Sequence, residues 1–136
     1  MTSRLNPYLA FSGNAREAME FYKSVFGGEL TVSTFGEFGS DDAALADKVM
    51  HSQLETTAGY HLMASDLAPG MPFNPGSTIT VSLSGDDEVL RDYFDKLSAG
   101  GTVIMPLEKQ VWGDEFGQLT DQYGINWMVN VGNSAG

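Results

Sequence analysis

The sequence contains no cysteine. Disulfide bonds, thiolate zinc sites and cysteine nucleophiles are therefore excluded. A metal ion would have to be held by carboxylates, by water or by His51 and His61, which are the two histidines of the chain.

Basic residues are scarce, because 7 Lys and Arg stand against 18 Asp and Glu, which gives a formal net charge of −11. Binding to nucleic-acid phosphates needs clustered basic side chains, so we expect no nucleic-acid partner. The acidity has two interpretations, which are solubility of the protein and attraction of cationic ligands.

Long apolar runs are also missing. No stretch approaches the roughly 20 apolar residues of a membrane-spanning helix, and the first residues lack the pattern of a signal peptide. We therefore expect a cytoplasmic protein with no membrane partner. The length of 136 residues favours a single domain with a substantial core.

The segment from Asn6 to Gly28 predicts a strand, a tight turn and a helix. Leu9 and Phe11 alternate with outward residues as in a half-buried strand. Asn14 is the expected helix cap, with Glu17 completing a capping box. Apolar residues at helical spacing predict the buried stripe of this helix. They are Ala15, Ala18, Met19, Tyr22, Val25 and Phe26.

This unit occurs twice. The shift that places Ser12-Gly13 on Ser84-Gly85 also places Phe21-Tyr22 on Tyr93-Phe94. A second helix is predicted from about Asp87 to Ser98, with Asp86 as its cap. We therefore expect two modules, at about residues 4–66 and 76–132, with the Pro- and Gly-containing residues 66–76 as a linker.

Each module continues with three further strands. Val49–Thr56 and Tyr60–Ser65 predict a hairpin in which Glu55 lies opposite His61 and Gln53 opposite Met63. His51, Gln53, Glu55, His61 and Met63 then share one face, and Met50, Leu54 and Leu62 share the buried face. The remaining strands are predicted at Glu29–Phe38, Ser77–Ser84, Thr102–Val111, Phe116–Asp121 and Gly124–Val131.

The strand Ser77–Ser84 shows the clearest alternation. Ile79, Val81 and Leu83 are expected to face the helix, while small hydroxyl residues including Thr78 and Thr80 occupy the other face. Because charged residues would be expected on a surface open to bulk solvent, this face suits the wall of a ligand pocket.

The order and spacing of several motifs resemble the vicinal oxygen chelate superfamily, which contains glyoxalase I, bleomycin-resistance proteins and extradiol dioxygenases. Within it, the chain is similar to the PhnB-like subgroup. The resemblance implies an α+β fold in which two βαβββ modules form a glyoxalase-like open sheet cleft, and an intertwined homodimer. The motifs include Tyr8-Leu9-x-Phe11, Phe21-Tyr22-x-x-x-Phe26-Gly27, Met63-x-x-Asp66 and Trp112-Gly113-x-x-Phe116-Gly117.

The resemblance also implies where an inherited metal would bind, because metal-dependent relatives take ligands from the first and last strand of each module. The matching positions are Asn6, Met63, Thr78 and Met128. None of these is a good ligand for a hard or borderline divalent ion, so we expect no metal and no cofactor. Some PhnB-like proteins are named after a ubiquinone methyltransferase, but no glycine-rich strand-to-helix turn is present to hold S-adenosylmethionine.

His51, Glu55 and His61 are the candidate catalytic residues. They form either a two-histidine, one-carboxylate metal site, or an imidazole base beside a carboxylate, or a set of structural polar residues in a pocket. Trp112 and Phe116 are predicted at a hairpin end, where they cover either a ligand or a partner subunit.

The predicted pocket is amphipathic rather than charged. Three functions remain open: a metal-independent small-molecule-binding protein, a metal-dependent lyase, isomerase or dioxygenase with a non-standard ligand set, and an interaction module with a vestigial pocket. The expected pocket residues are Asn6, Tyr8, His51, Gln53, His61, Met63, Thr78, Thr80, Trp112, Phe116, Gln118, Asn126 and Met128.

Overall fold

A computed structural model describes residues 3–68 and 70–132, so Pro69 of the predicted linker lies outside the described residues. The chain divides into a first unit that extends to Asn74 and a second unit that begins at Pro75. Within the described residues each unit has the order strand, helix, strand, strand, strand. The predicted α+β class and the two βαβββ modules are therefore confirmed.

The first unit is a four-stranded sheet with the strand order β1-β4-β3-β2, covered by one helix. Strand β1 is parallel to β4, and the other neighbours are antiparallel. The elements are β1 (Tyr8–Phe11), α1 (Ala15–Phe26), β2 (Glu29–Thr34), β3 (Val49–Glu55) and β4 (His61–Asp66). A short 3-10 turn at Gly36–Phe38 replaces the end of the second strand, which was predicted to reach Phe38.

The second unit repeats this topology with the order β5-β8-β7-β6, again with one parallel pair, β5 and β8. The elements are β5 (Val81–Gly85), α2 (Val89–Ser98), β6 (Thr102–Lys109), β7 (Glu115–Thr120) and β8 (Asn126–Val131). Among the described residues, no helix is long and apolar enough to cross a membrane.

Each helix buries the predicted apolar stripe against its own sheet. All six predicted stripe residues of α1 are buried, and so are Leu90, Tyr93, Phe94 and Leu97 of α2. Beneath α2, Trp127 is 1% exposed and donates its indole N–H to the buried carboxylate of Asp121 at 2.8 Å. The helices therefore lie on one face of each sheet and leave the opposite face open.

The start of α1 is held differently from the prediction. The Asn14 side chain makes no capping hydrogen bond, so the predicted capping box does not form. Instead Asp66, at the end of β4, accepts hydrogen bonds from the backbone N–H groups of Gly13, Ala15 and Val49, each at 2.9 Å. A carboxylate remote in sequence therefore replaces the local cap. At α2 the carboxylate at the first turn comes from Asp87, which accepts from Val89 N–H, rather than from Asp86.

The predicted register of the first hairpin is confirmed, with Glu55 paired to His61 and Gln53 to Met63. One buried position differs from the prediction. Strand β2 pairs Ser33 with His51 and Thr34 with Val49, so a bulge skips Met50. Val49 is therefore buried in place of Met50, because the extra residue of a bulge reverses the alternation of the strand.

The strand predicted at Ser77–Ser84 begins only at Val81. Thr78 and Thr80 lie before the strand, and Ile79 is 78% exposed rather than facing the helix. Helix α2 has 10 residues against 12 in α1, so it covers less of its sheet. Strand pairing also places Ser82 beside Met128 in the second unit, where the first unit has Tyr8 beside Met63. Ser82 is therefore the counterpart of Tyr8, whereas the sequence shift that places Ser12 on Ser84 gives Thr80.

An ion pair fastens α2 to β7. Arg91 donates from Nε to Glu115 Oε1 at 3.1 Å and from Nη2 to Glu115 Oε2. Hydrogen bonding to Arg91 lowers the pKa of Glu115, and hydrogen bonding to Glu115 raises the pKa of Arg91. Both groups thus remain charged over a wider pH range than they would alone.

We expect Asp66→Asn to lower the free energy of unfolding by about 3 kcal/mol, because the new amide N–H₂ faces the backbone N–H of Val49 and two donors then meet. The matched control is Asp47→Asn, which makes the same change of charge at an exposed residue with no recorded partner. Urea denaturation of both variants measures the difference. Equal stability of the two variants would show that the Asp66 hydrogen bonds are not needed.

Candidate functional site

The open face of the first sheet gathers most of the candidate residues of that unit. Met63 on β4 lies between Tyr8 on β1 and Gln53 on β3, while His61 lies opposite Glu55 on the same face. His51 lies two residues before Gln53 and therefore projects from the same face. These side chains are anchored on strands, so their positions are set by the sheet rather than by loops.

Tyr8 and His51 form a hydrogen-bonded pair of rings. The Tyr8 hydroxyl lies 3.0 Å from His51 Nδ1, and the ring centroids are 5.7 Å apart with an angle of 32° between the planes. Tyr8 is 51% exposed, and His51 is half-buried. The sequence predicted a carboxylate neighbour for the histidines, but the partner of His51 is this phenol.

His61 pairs with Arg4, which the sequence analysis did not include. Arg4 Nη1 donates to His61 Nε2 at 3.0 Å. A guanidinium can only donate, so Nε2 carries no proton and the neutral ring is protonated at Nδ1. His61 Nδ1 is buried and has no hydrogen-bond partner among residues 3–68 and 70–132. A contact between residues 57 positions apart leaves no local signal in the sequence.

Two carboxylates lie at the His61 end of this face. Glu55 is directly opposite His61 on one side and Glu29 on the other, and both glutamates are exposed. Gln53 Nε2 donates to Glu55 Oε1 at 3.3 Å. This end of the sheet therefore carries charged side chains, namely Glu55, Glu29 and the Arg4 that binds His61, whereas the strand positions around Tyr8 and His51 carry none.

His51, Glu55 and His61 do not come together. Glu55 is the cross-strand neighbour of His61, but His51 contacts Tyr8 instead. In the part of the chain that the structure describes, no three His, Asp or Glu side chains are grouped so that they could hold a metal ion. The arrangement therefore offers no support for the non-standard metal site that these three residues suggested.

The open face of the second sheet repeats the centre of the first. Met128 lies between Ser82 and Gln118, as Met63 lies between Tyr8 and Gln53. Asn126 lies opposite Thr120, whose hydroxyl donates to Asn126 Oδ1 at 2.9 Å. Trp112 and Phe116 pack edge to face, with ring centroids 6.2 Å apart, and Trp112 is 60% exposed.

The two faces differ in chemistry at matched positions. The hairpin registers place Phe116 where the first unit has His51, Thr120 where it has Glu55, and Asn126 where it has His61. Both open faces have a glutamine and a methionine at their centre. The titratable groups at these positions therefore belong to the first unit, and the second unit has neutral or aromatic side chains in their place.

The remaining predicted pocket residues lie outside these strands. Asn6 is half-buried ahead of β1, Thr78 is exposed, and Thr80 is half-buried ahead of β5. Their expected contact with a ligand stays a prediction.

A separate cavity of about 460 Å³ lies on the helix side of the first unit. None of the predicted pocket residues lines it. Its charged lining is mixed, with Arg16 and Lys48 beside four carboxylates. The backbone N–H groups of Gly13 and Ala15 at its edge already bind Asp66, so these two groups are not available to an anion. The lining residues are Gly13, Asn14, Arg16, Glu17, Glu20, Asp47, Lys48, Val49 and Asp66.

Comparison with known families and structures identifies relatives over almost the whole chain. Residues 3–130 match the model of the family described as 3-demethylubiquinone-9 3-methyltransferase. The chain is similar to protein PA1353 from Pseudomonas aeruginosa, with 36% identity, a TM-score of 0.87, and coverage of 98% of this chain and 100% of that one.

Two further solved structures extend the comparison. A PhnB protein from Bacillus cereus, described as a putative 3-demethylubiquinone-9 3-methyltransferase, has 26% identity and a TM-score of 0.73 over 96% of this chain and 100% of that one. A glyoxylase/bleomycin resistance protein/dioxygenase domain from Frankia sp. EAN1pec has 12% identity and a TM-score of 0.67 over 98% of this chain and 99% of that one. The last likeness shows the fold alone, and it confirms the glyoxalase-like architecture.

We expect Arg4→Ala to change the tautomer of His61, because the donor that keeps Nε2 unprotonated is lost. Nitrogen chemical shifts of the ¹⁵N-labelled imidazoles report which ring nitrogen carries the proton. His51, whose partner is Tyr8, is the internal control and should keep its shifts. Unchanged His61 shifts in the variant would contradict the Arg4–His61 hydrogen bond.

Proposed function

Because this chain belongs to the PhnB-like family, whose model matches residues 3–130, we propose that it is a metal-independent small-molecule-binding protein of the glyoxalase/bleomycin-resistance fold. The observation that carries the proposal is the open face of the first sheet. There Tyr8, His51, Gln53 and Met63 present hydrogen-bonding groups beside apolar surface.

This surface has the composition of a small-molecule site. Ligand sites combine apolar and aromatic contact area with a few fixed polar groups that orient the ligand. Tyr8 and His51 hold each other in place, so little side-chain freedom is lost when a ligand binds. A neighbouring thioether adds an adaptable apolar contact at Met63.

Metal independence is supported by the chemistry of the matched positions. Asn6, Met63 and Met128 supply an amide and two thioethers, which are poor ligands for zinc, nickel, manganese or ferrous ions. Thr78, the fourth matched position, supplies a neutral hydroxyl group, which is also a weak ligand for these ions.

Methyl transfer, which the family description names, is not part of the proposal. S-adenosylmethionine sites of the common type use a glycine-rich turn between a strand and a helix. The corresponding turns of this chain are Ser12-Gly13-Asn14 and Asp86-Asp87-Glu88, and neither is glycine-rich. A cytoplasmic location also belongs to the proposal, as an expectation from the sequence.

The proposal includes a homodimer. Strand β6 is an edge strand of its sheet, and Val103, Ile104 and Met105 on it are 43%, 62% and 40% exposed. Trp112 and Val111 in the following turn are exposed as well. Such a contiguous apolar run on the surface of one chain supports burial by a second copy.

We expect compounds from a panel of uncharged aromatic and cationic molecules to raise the thermal denaturation midpoint of chelator-treated protein by several degrees, because a ligand that binds only the folded state stabilises it. Nickel, zinc, manganese and ferrous ions, tested in the same assay, should leave the midpoint unchanged. A midpoint that no compound raises, or that one of these metals raises, would refute the proposal.

We expect Ile104→Glu to weaken the dimer by about a hundredfold, because a carboxylate is then buried against apolar surface. Sedimentation equilibrium measures the dissociation constant. The control is Phe38→Glu, which makes a comparable change at a residue of the first unit that is 65% exposed. A wild-type protein that sediments as a monomer at about 100 μM would contradict the dimer.

A further inference from the structure

We infer that the ligand of this surface is an uncharged planar aromatic compound carrying a hydroxyl group, and that it binds at the Tyr8–His51 end of the first sheet. The inference rests on the proposed function and specifies its ligand. Three observations support it: the distribution of charge on the sheet, the hydrogen-bonding capacity of the ring pair, and the shape of the exposed ring surface.

The distribution of charge disfavours an ionic ligand at this end. Arg4, His61, Glu55 and Glu29 are gathered at the opposite end of the face. Beside His51 the neighbour on β2 is Ser33, and beyond Tyr8 the pair Ala10 and Ser65 is neutral.

Two charged residues, Asp47 and Lys48, precede β3, and both are turned to the helix side of the sheet. Lys48 is directed to the helix side, where its Nζ donates to the carbonyl of Gly13 at 3.1 Å. Asp47 lines the cavity on that side. Glu37, beyond the end of β2, already accepts hydrogen bonds from the backbone N–H and the hydroxyl of Thr34. The strand positions around the Tyr8–His51 pair therefore offer a charged ligand no partner of opposite charge.

The hydrogen-bonding capacity of the pair matches a hydroxyl group. A phenol and a neutral imidazole bring one hydrogen each, and their mutual bond uses one of the two. If Tyr8 donates, His51 Nε2–H and a lone pair of the phenol oxygen remain; if His51 donates, the Tyr8 O–H and the Nε2 lone pair remain. Either way the pair offers one donor and one acceptor. Nδ1 and Nε2 point to opposite sides of the imidazole ring, so these two groups lie on different sides of the pair, and a hydroxyl group, which both donates and accepts, can bind at either of them.

The shape of the surface favours an aromatic body. The two rings are inclined by only 32°, and more than half of Tyr8 is exposed, so together they form a shallow apolar surface. Met63 lies directly beside Tyr8 in the sheet and extends this surface with a thioether, which packs well against aromatic rings.

The second unit provides an internal contrast. Ser82 and Phe116 occupy the places of Tyr8 and His51. The second unit therefore lacks a hydrogen-bonded pair of rings at this position. The recognition of a hydroxyl group is therefore assigned to the first unit. The replacement His51→Phe installs the residue that the repeated unit already carries at this position.

Three probes with one ring system test the inference: 2-naphthol, 2-naphthoate and 2-naphthylmethylammonium. Titration calorimetry should show that 2-naphthol binds at least about tenfold more tightly than either charged probe. At least one of the variants His51→Phe and Tyr8→Phe should weaken 2-naphthol binding by about tenfold, since the ligand hydroxyl then loses its hydrogen-bond partner.

The matched control is Glu29→Gln, which changes an exposed residue at the charged end of the same face. It should leave 2-naphthol binding within about threefold of wild type. Circular dichroism and the denaturation midpoint show whether each variant is folded, and Tyr8→Phe keeps the test valid if His51→Phe does not fold.

Several outcomes would overturn the inference. A charged probe that binds more tightly than 2-naphthol would do so, and so would a loss on Glu29→Gln as large as the greater loss on the two ring variants. If no naphthalene probe binds but another panel compound stabilises the protein, the inference fails and the proposed function stands. If no compound of any class binds, both fail.

Discussion

One buried carboxylate holds the first unit together. Asp66 is 4% exposed and binds backbone N–H groups at the end of β1, at the start of α1 and at the start of β3. These bonds fix the helix against β3 and β4, and the open faces of those strands carry His51, Gln53, His61 and Met63. The geometry of the candidate site therefore depends on a side chain that lies outside it. In the second unit Asp121 plays a different part, closing the turn before β8 and binding Trp127.

The duplication explains how one face can be specialised without loss of the fold. Both units retain the glutamine and methionine at the centre of the sheet and an apolar helix stripe on the other side. Positions on the open face do not pack under the helix, and there the first unit carries phenol, imidazole and guanidinium groups while the second carries neutral and aromatic ones. The proposed binding site of the first unit therefore adds chemistry to an unchanged scaffold.

The sequence was sufficient for periodic and local features. It predicted the α1 stripe, the pairing of Glu55 with His61 and of Gln53 with Met63, and the repeated module, because each follows from alternation, helical spacing or a short turn. It did not predict the Asp66 cap, the Arg4–His61 bond or the bulge at Met50. Each depends on a contact between segments distant in sequence. The local patterns instead favoured Asn14 as the helix cap, Glu55 as the neighbour of the histidines, and regular alternation through Met50. The start of β5 was misplaced because Ile79 continues an apolar alternation beyond the part of the sheet that α2 covers.

The central claim is that this protein binds a small organic molecule without a metal. Native mass spectrometry of protein purified without a metal-affinity column, incubated with an aromatic alcohol and with divalent metals and then desalted, tests it most directly. The expected result is an adduct with the mass of the organic compound, and no mass increase from a metal. One tightly held metal ion per chain, retained through desalting and lost with denaturation, would contradict the claim.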